Sequence, residues 1–215
     1  MQGFYLVTPS WDDTNKLLDY TRAALDAGAA MVQYRHKQAG PALQREQGAA
    51  LLALCRRYRR PLVINDHLSL CLTLGADGVH VGSADASVAQ ARAALGPAKI
   101  VGASCYGELA LARVAERDGA SYAAFGGFYP STVKRYDFST APAIVTAARA
   151  ELGLALVVIG GMTPANAAPL VARGANMVAA ISSIYSAADP GTVVRAFDAL
   201  FARSITTTAK ASHAL

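Results

Sequence analysis

A chain of 215 residues, 53% hydrophobic and 16% charged, can build one large core and is short for two independent domains. No apolar run reaches the ~18 residues of a membrane span, and the opening MQGFYLVTPS lacks the basic flank and cleavage pattern of a secretory leader, so the expectation is a cytoplasmic protein with no membrane partner. Cys55, Cys71 and Cys105 stand in no CxxC or Cys/His spacing, which argues against a disulfide framework or a zinc site, and the formal charge of +5 forms no aromatic-interleaved basic patch of the nucleic-acid-binding kind.

Along the chain, apolar β-rich segments recur at 4–7, 30–34, 62–64, 78–81, 100–104, 122–125, 156–159 and 177–180. Between them, stretches such as 14–27, 41–58, 87–95 and 108–118 carry apolar residues at the helical spacing near 3.6. The dense run Arg56-Arg57-Tyr58-Arg59-Arg60 falls at a predicted helix end, where cations meet the negative end of the helix dipole. Gly28-Ala29, Gly75-Ala76, Gly119-Ala120 and Gly174-Ala175 each close a helix just before the next strand, as a glycine in the left-handed conformation does. Strands alternating with helices, at roughly 25 residues per unit, predict an α/β fold: a (β/α)₈ TIM barrel in a single domain, 1–203. A doubly wound open sheet is the alternative, and no GxGxxG follows the first strand to support it. The tail 204–215 is polar, without helical periodicity, and reads as disordered.

Polar residues gather at the carboxyl ends of these strands, which in a parallel barrel form one face. Gln33, Arg35 and Lys37 alternate after strand 2, placing them on one side if the chain stays extended. Asn65 and Asp66 follow strand 3, although Asp66 also suits a helix cap before His67. Asp85 follows strand 4, and with Asp66 suits magnesium held between carboxylates and a diphosphate. His80 reads as a hydrogen-bonded histidine inside the barrel. Ser104 ends strand 5, while Ser131 and Lys134 lie in the loop after strand 6, where Lys134 reads also as a solvated tip. The segment 156–184 is strand, Gly160-Gly161 turn, helix, strand, then Ser182-Ser183. Loops after strands 7 and 8 commonly hold phosphate, because glycine turns and helix starts leave N–H groups unpaired. A tight connection and a plain helix cap would read the same way.

The motifs MVQYRHK, LVINDHLSLCLTLGADGVHVGSAD, IVGASCYG, GGFYPSTVK, VVIGGMTPAN and VAAISSIY occur in this order and together resemble the thiamine phosphate synthase family. The resemblance implies a barrel that joins 4-amino-2-methyl-5-hydroxymethylpyrimidine diphosphate to 4-methyl-5-hydroxyethylthiazole phosphate, with Mg²⁺, giving thiamine phosphate and pyrophosphate. It implies that Gln33, Arg35 and Lys37, with Asn65 and Lys134, grip the pyrimidine diphosphate, and that Asp66 and Asp85 are the magnesium carboxylates. Ser104 would lie near the pyrimidine and its leaving group, Ser131 would stand where threonine is usual, and Gly161, Ser182 and Ser183 would hold the thiazole phosphate. Arg35, Lys37, Ser104 and Lys134 are thereby the expected catalytic set. Val133 replaces a second threonine, Ser83 a glutamine and His67 an arginine. A thiazole tautomerase and a non-catalytic phosphate-binding barrel are the rival readings, and association into a homo-oligomer is left open.

Overall fold

The computed structural model describes residues 1–83, 85–131 and 137–211, with side chains as far as 202. Eight parallel strands close into a barrel in chain order: β1 Gly3–Val7, β2 Met31–Tyr34, β3 Leu62–Asn65, β4 Gly78–Val81, β5 Ile100–Tyr106, β6 Tyr122–Phe125, β7 Ala155–Ile159 and β8 Met177–Ala180. β8 pairs back onto β1, so no edge is left. Each strand is followed by a helix: α1 Thr14–Asp26, α2 Pro41–Arg57, α3 Leu68–Leu74, α4 Val88–Leu95, α5 Leu109–Arg117, α6 Ala143–Glu151, α7 Pro164–Ala172 and the short α8 Ser182–Tyr185. These bounds lie within a residue or two of the segments expected from periodicity.

The strands are short and buried on both faces, so they read as nearly unbroken apolar runs. Outward residues such as Phe4, Leu6, Val32, Ile64 and Val178 pack under the helices. Inward residues, Tyr5, Val7, Met31, Val63, Tyr122, Ala124, Val157, Met177 and Ala179, fill the barrel itself. The repeated Gly-Ala turns carry positive φ at Gly28, Gly75, Gly119 and Gly174. Left-handed backbone there ends each helix and sends the chain straight into the next strand.

A last helix, α9 Pro190–Ala211, closes the ring, with Phe197 stacked on Phe4 at 4.7 Å between centroids. Its backbone is helical beyond residue 203, where the sequence pattern placed the end of the domain. Extending an existing helix costs little per residue, so a segment without its own periodicity continues one already nucleated.

Candidate active site

A cavity of about 420 Å³ opens at the carboxyl ends of the strands. Gln33, Arg35, Lys37, Asn65, Asp66, Asp85, Ser104, Ser131, Gly161, Ser182 and Ser183 all line it. Residues from strand ends far apart in sequence therefore share one chamber. Lys134 and Val133 lie outside the described residues.

The first wall is built at the ends of β2, β3 and β4. Thr8, fully buried, staples the end of β2 to β1: its hydroxyl accepts from the Arg35 N–H at 2.8 Å, while its own N–H donates to the Gln33 carbonyl at 2.9 Å. Extended backbone is thus held past Tyr34, and Arg35 and Lys37 both face the cavity. His36, between them, turns away. Its Nδ1 accepts from the Ala39 N–H at 3.1 Å, which leaves Nε2 to donate to Asp12 at 2.9 Å.

Asp66 is no helix cap. The N-cap of α3 is His67, without a side-chain cap bond. Asp66 instead has φ 62°, with the His67 N–H donating to the Asn65 carbonyl across it at 2.7 Å. That is a three-residue turn of the rare, strained kind, and such strain concentrates where a side chain must be aimed. Here it directs the carboxylate to Lys37 Nζ, 3.1 Å away. Asp85 is set by a different device, its Oδ2 accepting from the Gly82 N–H at 2.8 Å. Among the described residues, no group of three His, Cys, Asp or Glu side chains gathers for a metal.

The second wall, from β7 and β8, has no charged side chain in the cavity lining. Gly160 and Gly161 have φ 110° and 63°. A Cβ on Gly161 would collide with the Pro130 carbonyl, so the turn is pressed against the loop after β6. Asn166 holds it, donating from Nδ2 to the Gly161 carbonyl at 2.9 Å. The start of α7 adds less to this wall than its position in sequence suggests. Pro164 has no N–H, and the Asn166 N–H is occupied by Thr163 in a capping box. Ser183 supplies the missing cue: its buried Oγ has no hydrogen-bond partner. Buried hydroxyls are nearly always paired, so this one, shut off from solvent beside the cavity, is an exception that calls for an explanation.

The floor is polar. Gln33 Nε2 donates to Tyr5 Oη at 2.7 Å, Tyr5 and Tyr122 hydroxyls lie 2.9 Å apart, and His80 spans Tyr122 Oη at 2.9 Å and Ser104 Oγ at 2.8 Å. His80 is thus the hydrogen-bonded interior histidine that its strand position suggested. Burial raises both phenols well above their usual pKa. Tyr5 and Tyr122 were missed in the sequence because a tyrosine in an apolar strand reads as core. The only cue was period-two alternation placing them on the same face as Gln33 and His80. A bulge between Ser104 and Tyr106 turns the end of β5, and Tyr106 Oη sits 3.1 Å from Ser83 Oγ. Cys105, pushed up to about 12 by burial, faces the helices and is an inert thiol.

Residues 4–184 match the thiamine monophosphate synthase family model. The chain belongs to that family. It is 59% identical over 203 residues to a thiamine-phosphate synthase of Janthinobacterium sp. (strain Marseille), covering 94% of this chain and 98% of that one. It is 47% identical to a thiamine-phosphate synthase of Methylobacillus flagellatus, covering 94% and 96%. A solved thiamine phosphate pyrophosphorylase from Pyrococcus furiosus superposes with a TM-score of 0.84 at 26% identity, over 95% of this chain and 97% of that one. A 3-hexulose-6-phosphate synthase at 18% identity, TM-score 0.69, shares the barrel fold.

Proposed function

We propose that this chain is a thiamine-phosphate synthase, a transferase that condenses 4-amino-2-methyl-5-hydroxymethylpyrimidine diphosphate with 4-methyl-5-hydroxyethylthiazole phosphate. One observation carries the reading: a cationic and carboxylate wall and an uncharged glycine–serine wall face each other across a single cavity. In the reaction the bond from the pyrimidine methylene to the diphosphate oxygen breaks, the electron pair leaves with pyrophosphate, and the thiazole nitrogen forms the new bond to that carbon. The electron-rich pyrimidine supports the positive charge meanwhile, so no protein nucleophile is needed.

The work of the protein is electrostatic and geometric. Arg35 and Lys37 meet negative charge as it gathers on the leaving group, and Lys134 belongs with them by its motif. Gln33, Asn65 and Ser104 orient the pyrimidine part, and Ser131 adds a further hydroxyl-bearing side chain to the cavity lining. Gly161, Ser182 and Ser183 hold the thiazole phosphate so that its nitrogen lies in line with the methylene carbon. Asp66 and Asp85 fit Mg²⁺: they are hard oxygen donors on the wall assigned to the diphosphate. Two carboxylates completed by substrate phosphate oxygens and water is the usual magnesium arrangement, which also accounts for the lack of a three-residue protein cage among the described residues. When bound, the ion supplies further positive charge against the diphosphate.

The pure protein, given both substrates and Mg²⁺, is expected to form thiamine phosphate and pyrophosphate in equal amounts. Conversion of only the thiazole partner between isomers would instead make it a tautomerase, and binding without turnover would make it a phosphate-ligand receptor. Either result overturns the synthase reading.

A further inference from the structure

The chain of hydrogen bonds beneath the cavity is polar where apolar side chains would pack equally well. Phenylalanine at 5 and 122 would fill nearly the same volume, and a buried hydrogen bond recovers little more than the hydration its hydroxyl gives up. The packing has nonetheless been arranged around it. His80, Gly102 and Tyr122 are aligned in register across β4, β5 and β6. A Cβ on Gly102 would collide with the Tyr122 ring, so the gap on β5 is what lets the rings from the flanking strands meet. They stack with centroids 5.6 Å apart and planes 13° from parallel.

Donor counting gives the chain a direction. The Gln33 amide nitrogen can only donate, so Tyr5 Oη accepts from it; either hydroxyl could donate across the Tyr5–Tyr122 contact, and donation by Tyr5 is the arrangement in which its own proton also finds an acceptor. Tyr122 then has one proton to give, and by the same count its acceptor is His80 Nδ1, which lies 2.9 Å away. A neutral imidazole that accepts at Nδ1 carries its proton at Nε2 and donates it to Ser104 Oγ. Ser104 has used an acceptor site on His80 and keeps its own O–H for the cavity that it lines. Burial keeps both phenols neutral at physiological pH, so the sequence of donors does not break there.

We propose that Tyr5, Tyr122 and His80 are positioning residues that hold the Ser104 hydroxyl as a hydrogen-bond donor to the bound heterocycle. The site then selects a ring that presents an unprotonated nitrogen at that point and disfavours one that presents an N–H. This deepens the synthase reading, and rests on it in taking that ring to be the aminopyrimidine.

The test uses the full chain and two readouts. Long-range ¹H–¹⁵N NMR on histidine-labelled protein reports the His80 tautomer, its signals assigned by their loss in His80→Asn. Steady-state rates are compared for wild type, Tyr5→Phe, Tyr122→Phe, Ser104→Ala and the Tyr122→Phe/Ser104→Ala double variant. The expected results are an Nε2-protonated His80, a kcat about tenfold lower in Tyr122→Phe, the loss of one oriented hydrogen bond, and a smaller loss in Tyr5→Phe. The double variant should be no slower than Ser104→Ala, because the tyrosine acts through the serine. An Nδ1-protonated His80 in wild type, or losses that multiply in the double variant, overturns the proposal. If wild type forms no thiamine phosphate, the synthase reading fails by itself, and the tautomer still decides the direction of the chain. The same measurement decides if a phenylalanine variant does not fold.

Discussion

The two walls of the cavity use different physics. The β2–β4 wall is made of charged side chains, each held by a neighbour: Arg35 by the Thr8 staple on its backbone, Asp66 by a strained turn and Lys37, Asp85 by the Gly82 N–H. The β7–β8 wall is made of backbone and hydroxyls, with Gly160–Gly161 locked under the loop after β6 and Ser183 unpaired. A leaving diphosphate gains charge as the reaction proceeds and needs groups whose attraction grows with it. A phosphate that only anchors its ring needs holding, and fixed N–H and O–H dipoles hold without adding charge. Under the proposed function, the asymmetry assigns rate to one wall and affinity to the other.

Four experiments would break or sharpen that assignment, beginning with the largest expected effect. Removing Mg²⁺ with a chelator should slow turnover by about a thousandfold, the scale of several kcal/mol that a bound divalent ion supplies. Undiminished activity would take Asp66 and Asp85 out of the metal role. Arg35→Ala should lower kcat by about a hundredfold, from the loss of one preorganised charge, with circular dichroism unchanged because the staple is made by its backbone. An effect confined to KM would move Arg35 from the rate-determining wall to plain binding.

Gly161→Ala forces a side chain into left-handed backbone and against the Pro130 carbonyl. It should raise the KM for thiazole phosphate by about tenfold, in keeping with ~1–3 kcal/mol of strain, while the KM for the pyrimidine diphosphate changes little. Equal changes in both constants would erase the division between the walls. Ser183→Ala should have the smallest effect, a rise of about fivefold in the thiazole phosphate KM from one lost hydrogen bond. Its thermal midpoint should stay level or rise, since the hydroxyl removed has no partner in the protein. A clear fall in stability would mean that Ser183 has a structural task.

Much of this site could be read from the residues. Alternation in Gln33-Tyr34-Arg35-His36-Lys37 separates side chains that face the cavity from those that face away, and the structure follows it, with His36 turned to Asp12 and Ala39. The Gly160-Gly161 pair likewise announces a turn that no other residue would make cheaply. Asp66 was ambiguous, because a carboxylate before a helix suits a cap. Only the φ of 62° and the pairing with Lys37 decide that it faces the cavity. The contribution of α7 to the phosphate wall was overestimated, since Pro164 and the Thr163–Asn166 box leave few donors there.

Local patterns determine what depends on near neighbours: strand and helix periods, glycine turns, and which strand ends carry charge. Backbone sterics and alternating side chains act within a few residues, so the barrel and its charged rim were legible from the chain alone. The Tyr5–Tyr122–His80–Ser104 connection was decided only by tertiary structure. It depends on barrel closure, on the register of β4, β5 and β6, and on a gap left by Gly102, all of which are relations between strands that no single segment encodes.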